Sequence, residues 1–137
     1  MKETLNLHND INEVGLLAEW LETIGEKYDV PMPDVFQLNL ALEEAVVKVM
    51  RYAYPEQTGM PVTLTMDSDS GQLTFRLTDN GIPFDPTATE DPDITLAAED
   101  REIGGLGTFL VRSIMDEVNY ERHDNSNILT MIYTCKK

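Results

Sequence analysis

The chain has 137 residues, 42% of them hydrophobic and 26% charged, which fits one ordinary globular domain, residues 1–137, with room for one sizeable core. Against 25 Asp and Glu stand 10 Lys and Arg, a formal net charge of -15; this argues against direct binding to nucleic acid or an anionic membrane, and suits either plain solubility or a basic protein partner. No apolar run reaches the ~20 residues of a membrane span, the first residues lack a signal-like apolar stretch, and the single Cys135 cannot form an internal disulfide, so a cytoplasmic setting is expected.

Thr4 to His8 reads as a short strand with Leu5 and Leu7 on one face. Asn9 or Asp10 can cap a first helix to about Tyr28, with Ile11, Val14, Leu17, Leu21 and Ile24 spaced toward a core. Pro31 and Pro33 end it and lead into a second helix, about Pro33 to Ala53. On that helix Leu38, Leu42, Val46, Val49 and Ala53 share one side, and Ala41, Glu44, Lys48 and Arg51 or Tyr52 another. Val62 to Met66 and Leu73 to Thr78 form a predicted hairpin turning at Asp69-Ser70-Gly71.

Residues 85–103 carry Pro86, Pro92 and seven acids, a poor core element that reads equally as a solvent loop or a functional flap. Leu106, Leu110, Ile114 and Met115 trace a third helix to about Glu117. Val118 to Arg122 and Ile128 to Cys135 then close the sheet around Asp124-Asn125-Ser126-Asn127. The expected fold is α+β: a two-layer sandwich, its mixed, mostly antiparallel sheet carrying about three helices on one face.

Three stretches carry chemistry. Gly104, Gly105 and Gly107 precede Thr108 and a helix start, where free N–H groups suit phosphate; a helix-capping turn gives the same residues. Asp79 ends a strand before Asn80-Gly81, where a carboxylate can accept from an exocyclic amine and Gly81 admits a flat ring; an ordinary Asp-Asn-Gly turn reads the same. Glu44 can serve as a general base, or pair with Lys48 one turn on, a contact worth only ~0.2–0.5 kcal/mol when exposed. One Cys and two scattered His do not suggest a metal site.

Taken in order, L-A-L-E-E-A-V-V-K-V-M-R-Y-A-Y-P, T-D-N-G-I-P-F-D-P and G-G-L-G-T-F-L-V resemble the nucleotide site of the GHKL (Bergerat-fold) ATPase/kinase superfamily. With G-L-G-T-F-L-V-R-S-I-M-D-E-V-N-Y, the chain is similar over nearly its whole length to the small bacterial anti-sigma factor serine kinases. The resemblance implies ATP as phosphoryl donor. It makes Glu44 the general base, Asp79 the reader of the adenine amine, and Gly81 and Pro83 the shapers of that pocket. It makes Gly105, Gly107 and Thr108 the phosphate-binding stretch, residues 85–103 the ATP lid and Arg101 the lid arginine reaching the terminal phosphate. Thr130 resembles a strand threonine supporting the adenine-reading Asp.

Lys48 departs from the pattern: the family keeps an Asn there whose carbonyl coordinates Mg2+. An ammonium has three donors and no acceptor, so it cannot ligate a cation, though it can contact phosphate directly. Two functions therefore stand. One is an anti-sigma factor and ATP-dependent serine kinase acting on a STAS-type anti-anti-sigma protein, with the sigma factor as second partner and a homodimer as the expected assembly. The other is a protein-binding module of the same fold whose nucleotide site is weakened or lost through Lys48.

Overall fold

The computed structural model describes residues 2–87 and 110–135. Strand β1 (Lys2–His8) leads through a short 3-10 turn (Ile11–Glu13) to helix α1 (Gly15–Lys27) and helix α2 (Met32–Tyr52). Strands β2 (Pro61–Asp69) and β3 (Gln72–Asp79) follow, and after a helical stretch at 110–114 come β4 (Glu117–His123) and β5 (Ser126–Thr134). The five strands form one sheet in the order β1-β2-β3-β5-β4, with every pairing antiparallel. The architecture is the α+β sandwich that the sequence predicts.

Both hairpins turn on two residues with positive φ: Ser70 and Gly71 between β2 and β3, Asp124 and Asn125 between β4 and β5. That geometry matches the right-handed twist of paired strands, and Asp, Asn and Gly tolerate it best. The second turn is shorter than the sequence suggests. Ser126 and Asn127 belong to β5, and Asn127 sits opposite Asp79 of β3.

Alternation along the central strands then sorts the sheet into two faces. Val62, Leu64 and Met66, Leu73, Phe75 and Leu77, and Leu129, Met131 and Tyr133 are buried on one face. The helices cover it with Leu17, Leu21 and Ile24 of α1 and Leu38, Leu42, Val46 and Val49 of α2. Trp20 meets Phe75 edge-on at 6.3 Å between ring centroids, tying α1 to the middle of the sheet. Tyr133 donates a hydrogen bond to the buried Asp34 carboxylate, tying the start of α2 to the end of β5.

Two expected core positions differ. Ile11 is exposed, because the Asp10 side chain caps a 3-10 turn by accepting from Asn12 N and α1 proper begins only at Gly15. In the helical stretch at 110–114 Val111 is buried and Leu110 is exposed, with Met115 buried one turn on, so the inward face lies one residue further along. No helix among the described residues is long and apolar enough to cross a membrane.

Candidate functional site

Helix α2 supplies one wall of the site. Glu44, Lys48 and Tyr52 follow one another at four-residue spacing and so share one flank, while Leu42, Val46 and Val49 hold another side against the sheet. Glu44 and Lys48 are half-buried and Tyr52 is exposed. The Tyr52 ring tilts against Phe84 at 5.7 Å between centroids, joining the end of α2 to the loop that follows β3.

That loop, residues 79–84, is seated on the C-terminus of α2. Ile82 N donates to Ala53 O at 2.8 Å. The approach is close enough that a Cβ on Gly81 would lie 2.0 Å from the same Ala53 oxygen, so no other residue fits without moving the backbone. Tyr54 fixes the adjoining turn: its hydroxyl donates to Pro61 O and accepts from Asn80 N, both at 2.6 Å. From Glu44 to Ala53 the helix rises about 13.5 Å, which sets the spacing along α2 between Glu44 and the docked loop.

Asp79 is the buried acid of this region, 2% exposed at the end of β3. Its Oδ1 accepts from Gly81 N at 2.8 Å and from Asn127 Nδ2 at 2.8 Å. A carboxylate offers about four lone-pair sites, and these bonds use two, which leaves capacity for an amine donor. Burial pushes the Asp79 carboxyl above its ordinary value; the Asn127 amide, the Gly81 N–H and the Arg122 guanidinium oppose that shift.

Asn127 is the residue that the sequence reading missed. Its Nδ2 also donates to Ile82 O at 2.7 Å, and its Oδ1 accepts from Phe84 N at 3.1 Å, Arg122 Nη1 at 3.2 Å and the Tyr120 hydroxyl. With acceptors around the nitrogen and donors around the oxygen, the amide orientation is determined by its surroundings. Arg122 Nη1 donates in addition to Gly81 O at 2.7 Å, and Ser126 Oγ to Asn80 Oδ1 at 2.7 Å.

Thr130 stands elsewhere. It pairs with Arg76 of β3 and Asn119 of β4, three residues beyond Asn127, so the alternation of the strand turns it to the opposite face of the sheet. The strand side chain that touches Asp79 is Asn127, not Thr130. Pro83 lies exposed in the docked loop beside Gly81. Arg101, Gly105, Gly107 and Thr108, and residues 88–103 of the expected lid, lie outside the described residues.

At the near end of that segment, Thr87 is buried: its hydroxyl donates to Asp85 Oδ1 at 2.7 Å, and Arg112 Nη2 donates to Thr87 O at 3.0 Å. Among the described residues no group of three or more His, Cys, Asp or Glu is arranged to hold a metal ion. Lys48, with no acceptor atom on its side chain, does not fit a role as Mg2+ ligand.

Comparison with known proteins gives the family and supports the fold. A family model described as the histidine kinase-like ATPase domain matches residues 7–133. The chain is similar to the serine/threonine-protein kinase BtrW of Bordetella bronchiseptica, 29% identical over 112 residues that make up 82% of this chain and 79% of that protein. It is also similar to the serine-protein kinase RsbW of Listeria monocytogenes, 26% identical over 140 residues, 99% of this chain and 89% of that one. Among solved structures, the RsbU and RsbW domains of a Mycobacterium tuberculosis protein superpose with a TM-score of 0.71 at 11% identity. That match covers 100% of this chain and 33% of the longer one. The histidine kinase domain of a blue-light activated kinase from Erythrobacter litoralis superposes at 0.56, with 18% identity over 87% of this chain and 61% of that one. At such identities the structures attest the fold alone.

Proposed function

The chain belongs to the histidine kinase-like ATPase domain family, and from that premise we propose that it is an ATP-dependent serine kinase and anti-sigma factor working in a partner-switching circuit. The observation that carries the reading is Asp79: a buried carboxylate at a strand end, fixed by two donors, in a loop docked on the helix that bears Glu44. The names of the relatives, BtrW and RsbW serine kinases, support the same reading.

In this account the base of ATP lies at the Gly81 end of α2, where Asp79 accepts from its exocyclic amine, and Gly81 and Pro83 shape the pocket. The phosphates extend toward Glu44, with Gly105, Gly107, Thr108 and Arg101 as their expected contacts and residues 85–103 as the lid. Glu44 accepts the proton of the partner's serine hydroxyl as that oxygen bonds to the terminal phosphorus and the bond to the β-phosphate oxygen breaks, releasing ADP. Lys48 donates to phosphate oxygens and supplies positive charge that a bound cation would otherwise provide. No step is assigned to Mg2+, because the side chain at its expected position cannot coordinate it.

The phosphoryl acceptor is a serine on a STAS-type anti-anti-sigma protein. Phosphorylation adds charge of about −2 at the interface and weakens that complex, freeing the kinase, as a homodimer, to sequester its sigma factor. The test is transfer of labelled phosphate from ATP to a serine of candidate STAS proteins. Transfer that Glu44→Ala abolishes supports the reading. Absence of transfer to every candidate, with partner binding insensitive to ATP and to Glu44→Ala, favours the second reading, a binding module whose nucleotide site has lapsed. Lys48 is the residue that keeps this second reading in view.

A further inference from the structure

We propose that the β4–β5 hairpin is the specificity element of the site, with Asn127 and Arg122 as positioning residues that aim the Asp79 carboxylate at a purine carrying an exocyclic amine. The proposal rests on the nucleotide reading above and deepens it.

The loop at 79–84 begins Asp-Asn-Gly, a sequence that by itself tolerates many turn conformations. Holding each residue in one conformation costs about 1–2 kcal/mol, so a binding loop left to itself would meet that cost when the ligand arrives. Here the hairpin has already fixed it. Ser126 holds the Asn80 side chain, Arg122 holds the Gly81 carbonyl, and Asn127 holds the Ile82 carbonyl, the Phe84 N–H and Asp79 itself. Tyr120 and Arg122 in turn hold the Asn127 oxygen. Each of these side chains comes from the same two strands, and between them they engage Asp79, Asn80, Gly81, Ile82 and Phe84.

The consequence for recognition is directional. A carboxylate pivots about its last side-chain bond and can present either oxygen. With Gly81 N and Asn127 Nδ2 both on Oδ1, the plane of the Asp79 carboxylate is set and its remaining lone pairs face one direction. Removing the Asn127 donors leaves Gly81 N alone on Oδ1 and loosens that rotation, with Glu44 and Lys48 unchanged. The hairpin thus acts on which base is accepted, and not on the phosphates or the reacting serine.

The experiment compares calorimetric binding of ATP and of purine riboside triphosphate, which lacks the 6-amine, on the full chain. The unmodified chain should prefer ATP by about tenfold or more, the range of one hydrogen bond to a charged group. In Asn127→Leu, which is close in volume, uncharged and without donors, that preference should fall at least fivefold, to about twofold or less, with affinity for the analogue little changed. The exposed Arg122→Ala should lower the preference by about threefold, and Arg122→Lys, which restores a donor, should recover part of it. If Asn127→Leu does not fold, the Arg122 pair decides alone. An undiminished preference in folded Asn127→Leu, or in Arg122→Ala, overturns the proposal. Equal binding of the two nucleotides by the unmodified chain overturns it while leaving nucleotide binding intact. Binding of neither refutes the nucleotide reading itself, and this proposal with it.

Discussion

Asn127 Nδ2 donates to Asp79 Oδ1 at 2.8 Å across the β3–β5 pair, joining residues 48 positions apart in the chain. The bond exists because the β4–β5 turn consists of Asp124 and Asn125 alone, which places Asn127 in β5 on the helix side of the sheet. It makes the adenine end of the proposed site a joint product of two hairpins and the end of α2.

Gly81→Ala should abolish ATP binding and lower stability. The added methyl would meet backbone atoms of Ala53, which cannot swing aside as a side-chain tip can. Displacing the loop also costs the bond from Ile82 N to Ala53 O, so a loss of about 1–3 kcal/mol or more is expected from urea unfolding. Wild-type stability and ATP affinity in this variant would contradict the docking described for the loop.

Tyr133→Phe should destabilise the fold by about 1–3 kcal/mol, because it leaves the buried Asp34 carboxylate without the hydroxyl that donates to it. The pair lies at the start of α2, at the opposite end of that helix from the docked loop, so the ATP dissociation constant should be unchanged in the folded variant. Burial first, and then the bond to Asp34, push the Tyr133 hydroxyl well above the usual phenol range. Ultraviolet titration should therefore show one tyrosine that stays un-ionised until the chain unfolds in alkali.

Asp79 gives a pH signature. Its carboxyl is raised above the ordinary 3.8 in the folded chain, chiefly by burial, so the folded state holds this proton more tightly than the unfolded state does. Its contribution to stability is therefore most favourable below 3.8 and declines as pH rises through the folded-state value. Asp79→Asn has no proton to lose. The unfolding free energy of this variant minus that of wild type should increase from about pH 4 upward and then level off. A difference that is flat, or that falls with pH, would contradict the burial cost assigned to Asp79.

Thr130→Val should leave ATP binding within about twofold of wild type, since Thr130 faces away from the helices beside Arg76 and Asn119. A loss as large as that expected for Asn127→Leu would place the supporting side chain on the wrong face of the sheet.

Much of this arrangement was legible in the sequence. Leucines and valines at helical spacing fixed the buried side of α2, and with it the placement of Glu44 and Lys48 on another side. The alternation in β2 and β3 brought Asp79 to a strand end before a glycine. What escaped was register. Asp124-Asn125-Ser126-Asn127 is turn-like throughout its length, and composition does not reveal that two residues suffice to reverse the chain. Strand alternation has a period of two, so a turn placed too long hides an inward side chain, and Asn127 passed for loop. The same limit applied to Ile11: helical spacing ran on through Asp10 and Asn12, whose local capping instead favoured a 3-10 turn. Side chains that satisfy backbone groups over long separations, such as Arg122 on Gly81, leave no local pattern to read.

The central claim is that this site takes ATP with Lys48 serving the phosphates in place of a metal ligand, and calorimetry of ATP binding with and without magnesium, on wild type and Lys48→Asn, tests it most directly. Wild type should bind ATP with an affinity that magnesium changes by less than about threefold. Lys48→Asn, having lost a charge-assisted contact and gained a carbonyl acceptor, should bind about tenfold or more tightly with magnesium than without. Failure of wild type to bind ATP under either condition, with magnesium-dependent binding restored in Lys48→Asn, would contradict the account and identify the protein as a binding module with a lapsed nucleotide site.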